Sequence, residues 1–318
     1  MEPRRAAEEF QTGGMIAEVQ AYGSGNINDT FLVSMRGSAP RYILQRLNPA
    51  VFPDPQMVMA NLRLVADHLR TRVQQEAGPD NWQVAGVIPC RNGTDCFIDA
   101  QGFCWRMVRF IDRTRVYETV ATAARAQQIG AGLGRFHRLL SDLDISRLHD
   151  TLPGFHITPH YLAEYDAVCG NNPRENRCCR DIIETGRATA TVLEDAKAQG
   201  LLPLRVIHGD PKANNFLFDE ASARVVSLVD LDTVKPGLSQ YDLGDCLRSC
   251  CNPAGEEPDD PAAVAFDLDR CRAILTGYLA EAASFLTDSD FDFMYDAVHL
   301  ITFELGLRFY TDHLAGNR

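Results

Sequence analysis

The first hundred residues alternate apolar and polar positions in short runs, as half-buried strands do. Two such runs, residues 15–21 and 30–35, flank a turn rich in Gly, Asn and Asp, and the segment RYILQRL supplies a third strand. After two prolines, apolar residues recur at helical spacing and predict a helix with the buried stripe Val58, Leu62, Val65 and Leu69. The segments CFIDA and FCWRMVRFI predict a hairpin that leads into a connector near residues 107–112.

Beyond this connector the period of the apolar residues becomes helical. A long helix is predicted with the buried stripe Ile129, Leu133, Phe136 and Leu140. His137 lies one position from that stripe, which favours a packing or capping role over a catalytic one. A short island of strand signals, residues 204–229, interrupts the helices. The pattern therefore predicts an α+β protein with a strand-rich first third and a mainly helical remainder.

Composition narrows the classes of function. With 318 residues, 45% of them hydrophobic, the chain can bury one large core or two modest ones. Its start, MEPRRAAEEF, lacks the apolar stretch of a secretory signal, and no window approaches the roughly 20 apolar residues of a membrane span. We therefore expect a cytosolic protein. The net charge of -12 opposes attraction to a nucleic-acid backbone, and the ten cysteines lack zinc-knuckle spacing, which favours reduced structural thiols.

The candidate catalytic and metal-binding residues are concentrated in two segments, HGDPKANN and the following VDLD, which lie at the ends of apolar strands. This order is expected to bring Asp210, Asn215 and Asp230 within reach of one another. Phosphoryl transfer needs a carboxylate to orient the attacking hydroxyl, oxygen ligands for Mg²⁺ and positive charge on the transferred group. Asp210, then Asn215 with Asp230, and then Lys212 could supply those three roles. The alternative is a polar hairpin with capping carboxylates, which does not explain why so many polar residues crowd these strand ends.

These motifs resemble the catalytic loop and metal-binding segment of the aminoglycoside phosphotransferase and choline kinase group, which shares the protein-kinase fold. The resemblance implies Asp210 as the catalytic carboxylate, Asn215 and Asp230 as metal ligands and Lys212 as the cation near the transferred phosphate. Asp245, in YDLGD, is expected to brace the loop through hydrogen bonds rather than act directly.

The same resemblance implies an α+β, two-lobed protein-kinase-like fold. Residues 1–108 would form a small strand-rich nucleotide-binding lobe, and residues 109–318 a larger helical lobe that holds the catalytic loop. ATP with Mg²⁺ would bind in the cleft between the lobes.

The resemblance also implies a nucleotide-binding set. Gly23, Ser24, Gly25 and Asn26 would form the turn that covers the phosphates, although an ordinary hairpin turn explains them equally well. The connector with Met107 and Arg109 would lie beside adenine. The third strand offers Gln45 where the family has Lys or Arg, with Arg46 next to it as the candidate cation, and only one of the two can face inward. This departure leaves open a nucleotide-binding scaffold without catalysis.

Four further segments, AYGSGNINDTFLV, YILQRLNPAVFPDP, LVDLDTVKPGLSQYDLGDCLR and ELGLRFYTDHLAGN, are similar to the N-acetylhexosamine kinases. These enzymes phosphorylate the anomeric hydroxyl of N-acetylglucosamine or N-acetylgalactosamine. The similarity implies a small sugar as the substrate, and Arg308 is the candidate contact. A surface charge ladder of Arg308 with Glu304 and Asp312 is an equal alternative. Another hydroxyl substrate, such as an aminoglycoside, an amino alcohol or a different sugar, is the second interpretation. The oligomeric state is not predicted.

Overall fold

The computed structural model describes residues 1–23, 27–37, 40–76, 82–170, 172–256, 258 and 260–316. The chain divides into two compact units. We call residues 1–115, 142–152 and 217–235 the sheet unit, and residues 116–141, 153–216 and 236–318 the helical unit. The division into lobes at residue 108 stays a prediction. The α+β class is confirmed, because a strand-rich N-terminal sheet precedes a mainly helical part.

The elements follow the predicted change from strands to helices. The strands are β1 (Ile16–Ala21), β2 (Asp29–Met35), β3 (Tyr42–Arg46), β4 (Phe97–Ile98), β5 (Cys104–Arg109), β6 (Thr114–Arg115), β7 (Arg205–Ile207), β8 (Phe216–Asp219), β9 (Val225–Leu228) and β10 (Lys235–Gly237). The helices are α1 (Pro3–Ala7), α2 (Pro55–Gln75), α3 (Ala123–Leu140), α4 (Thr158–Val168), α5 (Arg177–Gly186), α6 (Val192–Ala198), α7 (Ser239–Cys250), α8 (Leu268–Ala282), α9 (Asp288–Asp292) and α10 (Met294–Ala315).

Five strands of the sheet unit form one antiparallel sheet in the order β1-β2-β3-β5-β4. The register pairs Gln45 with Arg106 and Arg46 with Trp105. Neighbouring strand residues point to opposite faces, so Gln45 and Arg106 share one face and Arg46 and Trp105 share the other. Trp105 belongs to a buried apolar cluster that includes Phe10, Val33, Leu44 and Met107. The sheet therefore has a polar pair on one face and its apolar core on the other.

Helix α2 begins where the sequence pattern placed it. The side chain of Asp54 caps its first turn by accepting from the backbone N–H groups of Gln56 and Met57 at 3.1 and 3.2 Å. The predicted stripe is confirmed, since Val58, Leu62, Val65 and Leu69 are all buried. Asn61 on this helix is 1% exposed, and its amide donates to the backbone carbonyls of His149 and Val234 at 2.8 and 2.9 Å. Helix α2 is thereby joined to the chain that follows β9.

Helices α3 and α8 of the helical unit pack with their backbones unusually close together. A Cβ added at Gly130 would lie 1.9 Å from the carbonyl oxygen of Ile274, and one at Gly277 would lie 2.0 Å from that of Gln127. Any side chain at either glycine would force the helices apart. The predicted stripe of α3 is confirmed, because Ile129, Leu133, Phe136 and Leu140 are buried.

Two global features accompany this fold. All ten cysteines are free thiols. Among the described residues, no helix combines the length and the apolar character that crossing a bilayer requires.

Candidate active site

The loop after β7 carries the predicted catalytic carboxylate and is held by a buried acid in α7. One carboxylate oxygen of Asp242 accepts from the backbone N–H of His208 at 2.6 Å, and the other accepts from that of Gly209 at 2.7 Å. Gly209 has φ +88°, a conformation that glycine adopts without steric cost. Asp242 is fully buried, so these bonds are shielded from water. The backbone leading to Asp210 therefore has little freedom.

A histidine on α3 completes the support of Asp242. His137 Nε2 lies 2.8 Å from Asp242 Oδ2, and His137 Nδ1 lies 3.1 Å from the hydroxyl of Tyr278. Burial alone would raise the pKa of Asp242, but hydrogen bonds and charge from His137 and His208 outweigh it and hold that pKa below its ordinary value. The carboxylate therefore stays ionised. The predicted packing role of His137 agrees with these contacts.

A second histidine holds the same loop from its carbonyl side. His156 is buried, and its Nε2 lies 2.7 Å from the Gly209 carbonyl while its Nδ1 lies 3.0 Å from Glu304 Oε1. An imidazolium ring would donate from both nitrogens to these two oxygens. Burial lowers the pKa of His156, but the hydrogen bond and charge of Glu304 and the charge of Asp245 outweigh it and raise that pKa. The backbone of Gly209 is thus held on both sides, with its N–H bonded to Asp242 and its carbonyl to His156.

Asp210 projects from this clamped loop with its predicted partners beside it. Its Oδ2 lies 2.7 Å from Lys212 Nζ, and both side chains are about one-third exposed, at 31% and 30%. Asn215 is buried, and its amide nitrogen donates to the Asp210 carbonyl at 2.7 Å. That bond turns the oxygen end of the amide away from the carbonyl. The loop therefore presents a carboxylate, an ammonium group and an amide oxygen within one short segment.

Asp245 was predicted to brace this loop through hydrogen bonds. The structure shows instead that its Oδ1 pairs with Arg248, three residues further along α7, at 2.8 Å. Burial raises the pKa of Asp245, the charge of Arg248 works in the opposite direction, and the charge of Asp210 adds to the rise. The side-chain hydrogen bonds to the loop backbone therefore come from Asp242, whereas Asp245 pairs with Arg248.

The second chemical segment, VDLD, forms a tight turn in the sheet unit directly after β9. Asp230 is exposed and has φ 66° and ψ 55°, the left-handed conformation, which costs a residue with a Cβ roughly 1–2 kcal/mol. Asp232, two residues later, is buried and accepts from Asn28 Nδ2 at 2.7 Å. The two carboxylates of the motif are therefore in different environments, one facing solvent and one inside the protein.

Arg106 on β5 is the cation that meets this turn. It is 3% exposed and forms an ion pair with Asp232. Its Nε and Nη2 donate to Gln45 Oε1 at 2.9 and 2.7 Å. Gln45 in turn donates to Thr30 Oγ1 at 3.2 Å, so the polar face of the sheet carries a continuous row from Thr30 to Asp232.

The side-chain oxygens of two predicted site residues are of the type that binds a hard divalent cation such as Mg²⁺, which also binds phosphates. An exposed carboxylate, Asp230, and an amide oxygen, Asn215, are the ligand types that Mg²⁺ prefers. The described residues contain no cluster of three or more His, Cys, Asp or Glu side chains that could hold a metal ion. Mg²⁺ commonly takes one or two protein ligands and completes its shell with phosphates and water, so Asp230 and Asn215 each suit it by ligand type, and their roles as its ligands stay predictions.

A family model decides how these features are to be interpreted. The model described as the phosphotransferase enzyme family, APH, matches residues 18–275, most of the chain. The chain belongs to this family. The predicted family resemblance is therefore confirmed, whereas the N-acetylhexosamine branch within it stays a prediction.

Solved structures support the fold of this phosphotransferase. A microcompartment-associated aminopropanol kinase matches with a TM-score of 0.60 at 16% identity, covering 97% of this chain and 88% of that one. The GDP and kanamycin complex of APH(2'')-IIia matches at 0.63 and 16% identity, covering 98% and 92%. An ethanolamine kinase of Plasmodium vivax matches at 0.53 and 13% identity, covering 94% and 75%. The predicted protein-kinase-like fold class is confirmed.

The predicted phosphate-covering turn of the phosphotransferase is only partly visible. Ser24, Gly25 and Asn26 lie outside the described residues. Gly23 precedes them with φ +77°, and among the described residues other than its chain neighbours no atom lies within 4 Å of the place where a Cβ would stand. Its backbone conformation rather than close packing therefore requires glycine. The contact of this turn with phosphates stays a prediction.

The other predicted nucleotide contacts already have partners in the sheet unit. Arg46 Nε donates to Asp29 at 2.7 Å, and its guanidinium lies 4.7 Å from the ring centre of Phe103. Met107 is buried, and its carbonyl accepts from the Ile88 N–H at 2.8 Å. The exposed Arg109 donates its backbone N–H to the Gly86 carbonyl at 2.9 Å. Their roles toward a nucleotide stay predictions.

Arg308, the predicted substrate contact, lies on α10 among aromatic rings. Its guanidinium is 5.2 Å from the ring centre of Phe155 and 5.1 Å from that of Tyr161. Glu304, its supposed partner in a surface ladder, is instead 1% exposed and bonds His156 and Thr158. The ladder interpretation is therefore wrong for Glu304, and the substrate role of Arg308 stays a prediction.

Proposed function

We propose that this phosphotransferase transfers the γ-phosphate of ATP to the anomeric hydroxyl of an N-acetylhexosamine, giving a sugar 1-phosphate and ADP. The observation that carries the proposal is Asp210 with Lys212 Nζ at 2.7 Å, on a loop that Asp242 and His156 clamp from both sides. A fixed carboxylate beside a cation is the equipment that in-line phosphoryl transfer requires of the protein.

Each residue has one part in the proposed reaction. Asp210 accepts a hydrogen bond from the acceptor hydroxyl, orients its oxygen toward the γ-phosphorus and takes its proton as the new P–O bond forms. The bond from the γ-phosphorus to the β–γ bridging oxygen breaks, and the electron pair leaves with ADP. Lys212 stabilises the negative charge on the transferred group. Asn215 and Asp230 would hold Mg²⁺, which when bound neutralises charge on the phosphates.

The sugar assignment is supported by sequence and by chemistry. Four segments, from AYGSGNINDTFLV to ELGLRFYTDHLAGN, are similar to the N-acetylhexosamine kinases. An anomeric hydroxyl is more acidic than an ordinary alcohol, which suits activation by one carboxylate. Arg308, beside the rings of Phe155 and Tyr161, is the candidate contact for the sugar in the helical unit.

A second candidate is a kinase for cationic acceptors. Two of the structural relatives are named for aminopropanol and ethanolamine, and a third was solved with kanamycin. The net charge of -12 would favour a cationic substrate over an anionic one. The departure at Gln45 motivates a third candidate, a nucleotide-binding scaffold, against which the intact set of Asp210, Asn215 and Asp230 argues.

A coupled assay of ADP or GDP release separates these candidates. N-acetylhexosamines, amino alcohols and aminoglycosides are each offered with MgATP and with MgGTP, and phosphorus NMR locates the new ester. The proposal expects the highest kcat/KM for an N-acetylhexosamine and a signal from an anomeric phosphate. Turnover only with amines transfers the assignment to the second candidate. Nucleotide binding without turnover on any acceptor supports the scaffold.

A further inference from the structure

The row of polar side chains on one face of the sheet ends at the turn that carries Asp230. Arg106 uses one edge of its guanidinium on Gln45 and the remaining nitrogen on Asp232. The side chains of Arg106 and Asp232 are 3% and 5% exposed. A guanidinium is a rigid planar fork, so two partners at fixed positions define where it lies. Arg106 therefore fixes Asp232 relative to β3 and β5.

Both carboxylate oxygens of Asp232 already have partners within the protein. One carboxylate oxygen faces Arg106, and the other accepts from Asn28 at 2.7 Å. Its backbone carbonyl also accepts from Thr151 Oγ1 at 3.2 Å. The acid that remains exposed in the motif is Asp230. Within the VDLD turn, one carboxylate is thus committed to the protein interior and the other faces outward.

The turn adopts a backbone conformation that it would not hold by itself. Asp230 is left-handed at φ 66°, and such a residue persists where its surroundings determine the conformation. Asp232 supplies those surroundings through Arg106, Asn28 and Thr151. Further along the chain, Asn61 of α2 adds a bond to the Val234 carbonyl. The backbone two residues after Asp230 is therefore tied to β5 and to the chain between β1 and β2.

We propose that Arg106 is a positioning residue that acts through Asp232 to hold Asp230 in the orientation that binds the divalent cation. This inference rests on the metal-binding role proposed for Asp230. It gives a function to a buried cation in the part of the sheet where the sequence offers Gln45 in place of a basic residue. Arg106 touches neither the acceptor nor the cation itself. Its effect is on metal affinity and not on the chemistry of Asp210.

The test measures Mn²⁺ binding directly. Mn²⁺ is titrated into the protein with ADP, and the free ion is followed by electron paramagnetic resonance. Arg106→Lys keeps the charge and loses the fork, and the double variant Arg106→Gln/Asp232→Asn removes both charges and so leaves no lone buried ion. Loss of an outer-shell partner typically weakens metal binding about 10- to 100-fold, and we expect that range for the double variant. Affinity for metal-free ADP should remain near the wild-type value.

A matched control removes another forked pair from the same unit. Arg63 Nε donates to Asp95 at 3.0 Å, so Arg63→Gln/Asp95→Asn loses an ion pair whose two members both lie outside the VDLD turn. It should bind Mn²⁺ as the wild type does. If Arg106 and Asp232 act on metal binding by holding Asp230, then Arg106→Gln/Asp232→Asn should cause little further loss of Mn²⁺ affinity in a protein that already carries Asp230→Asn. The reason is that both sets of changes then disrupt the same interaction with the metal.

The outcomes distinguish failure of the proposed metal-binding role of Asp230 from failure of the positioning role of Arg106. Absence of Mn²⁺ binding by the wild type with ADP overturns the proposed role of Asp230. Wild-type Mn²⁺ affinity in both Arg106 variants overturns only the positioning role. Parallel loss of Mn²⁺ affinity, metal-free ADP affinity and melting temperature also overturns it, because that pattern indicates a merely structural residue.

Discussion

The catalytic loop and the VDLD turn are both held by a buried carboxylate, but they use it in opposite ways. In the loop, Asp242 lies on a distant helix and accepts from the loop backbone at His208 and Gly209. In the turn, Asp232 belongs to the segment itself and reaches out to a distant cation, Arg106. The loop is therefore fixed through its main chain, whereas the turn is fixed through a side chain. Loss of Asp242 should therefore disorder the backbone of the catalytic loop, whereas loss of the Arg106–Asp232 pair should change only the orientation of Asp230.

The largest effect is expected from the group that the loop presents. Asp210→Asn should lower kcat by about 10²- to 10⁴-fold, because the variant cannot accept the proton of the hydroxyl. Melting temperature and nucleotide affinity should change little, since the substitution is nearly isosteric. Single-turnover rates and nucleotide titrations measure both quantities, with the exposed Asp195→Asn as control. Wild-type turnover in a folded Asp210→Asn protein would remove this residue from the mechanism.

The next effect tests whether the loop depends on its main-chain support. Asp242→Asn replaces a buried ionised acceptor of three hydrogen bonds and should destabilise the protein by about 3 kcal/mol, with turnover lost in parallel. Urea unfolding and kcat are measured on the same samples. Asp269→Asn, which removes one partner of the exposed Arg272 pair, should change stability by less than about 1 kcal/mol. Equal effects of the two variants would contradict the supporting role of Asp242.

A smaller and more selective effect is expected at the turn. Asp230→Asn should weaken MgADP binding by at least the roughly 10-fold that loss of an outer-shell partner causes, with partial recovery at high Mg²⁺ or Mn²⁺. The fold should be unaffected because Asp230 is exposed and Asn tolerates the left-handed conformation. Isothermal titration over a series of metal concentrations gives the answer, with Asp142→Asn as the control. Loss of turnover that added metal does not relieve would argue for a role in chemistry instead.

The smallest effect is a pH dependence that distinguishes the two supports of the loop. The pKa of His156 is raised above its ordinary 6.5, so its stabilisation is complete below pH 6.5 and is lost as pH rises through the folded-state value. The pKa of Asp242 is depressed below 3.8, so its contribution is present above pH 3.8 and is lost as pH falls. The two supports therefore weaken at opposite ends of the pH range.

Comparison of the wild type with His156→Asn measures how the contribution of His156 to stability depends on pH. Asn suits the left-handed backbone at φ 66° but cannot carry a charge between Glu304 and the Gly209 carbonyl. The gap in free energy of unfolding between wild type and variant should be widest near pH 6 and should narrow in alkaline solution. A gap that widens with pH would reverse the assigned charge of His156.

The sequence predicted which candidate residues of the loop lie close together better than it predicted the residues that hold them. Asp210, Lys212 and Asn215 stand together in one short segment, so a local motif was enough to predict their proximity. The pairs His156–Glu304 and Arg106–Asp232 are separated by more than a hundred residues and arise only when the chain is folded. The prediction that Asp245 braces the loop through hydrogen bonds was wrong, because the spacing of YDLGD does not tell which acid of a buried helix faces the loop.

Arg106 left only a weak signal. In FCWRMVRFI it is a charge within an apolar run, and such a residue in a strand that is buried on both faces requires a partner. The partner could not be named, because register with Gln45 depends on how β3 and β5 pair. The same register explains why Gln45 and not Arg46 belongs to the polar face.

The close contact of α3 with α8 has a consequence for how this chain can change. Gly130 and Gly277 each prevent a clash with the opposite helix backbone, so a substitution at either one is not relieved by keeping the other. His137 and Tyr278, which hold Asp242, sit one on each of these helices. A single substitution at either glycine would therefore also displace the side chains that hold Asp242. In laboratory evolution of a new acceptor specificity, the two glycines should stay fixed while residues on α10 vary.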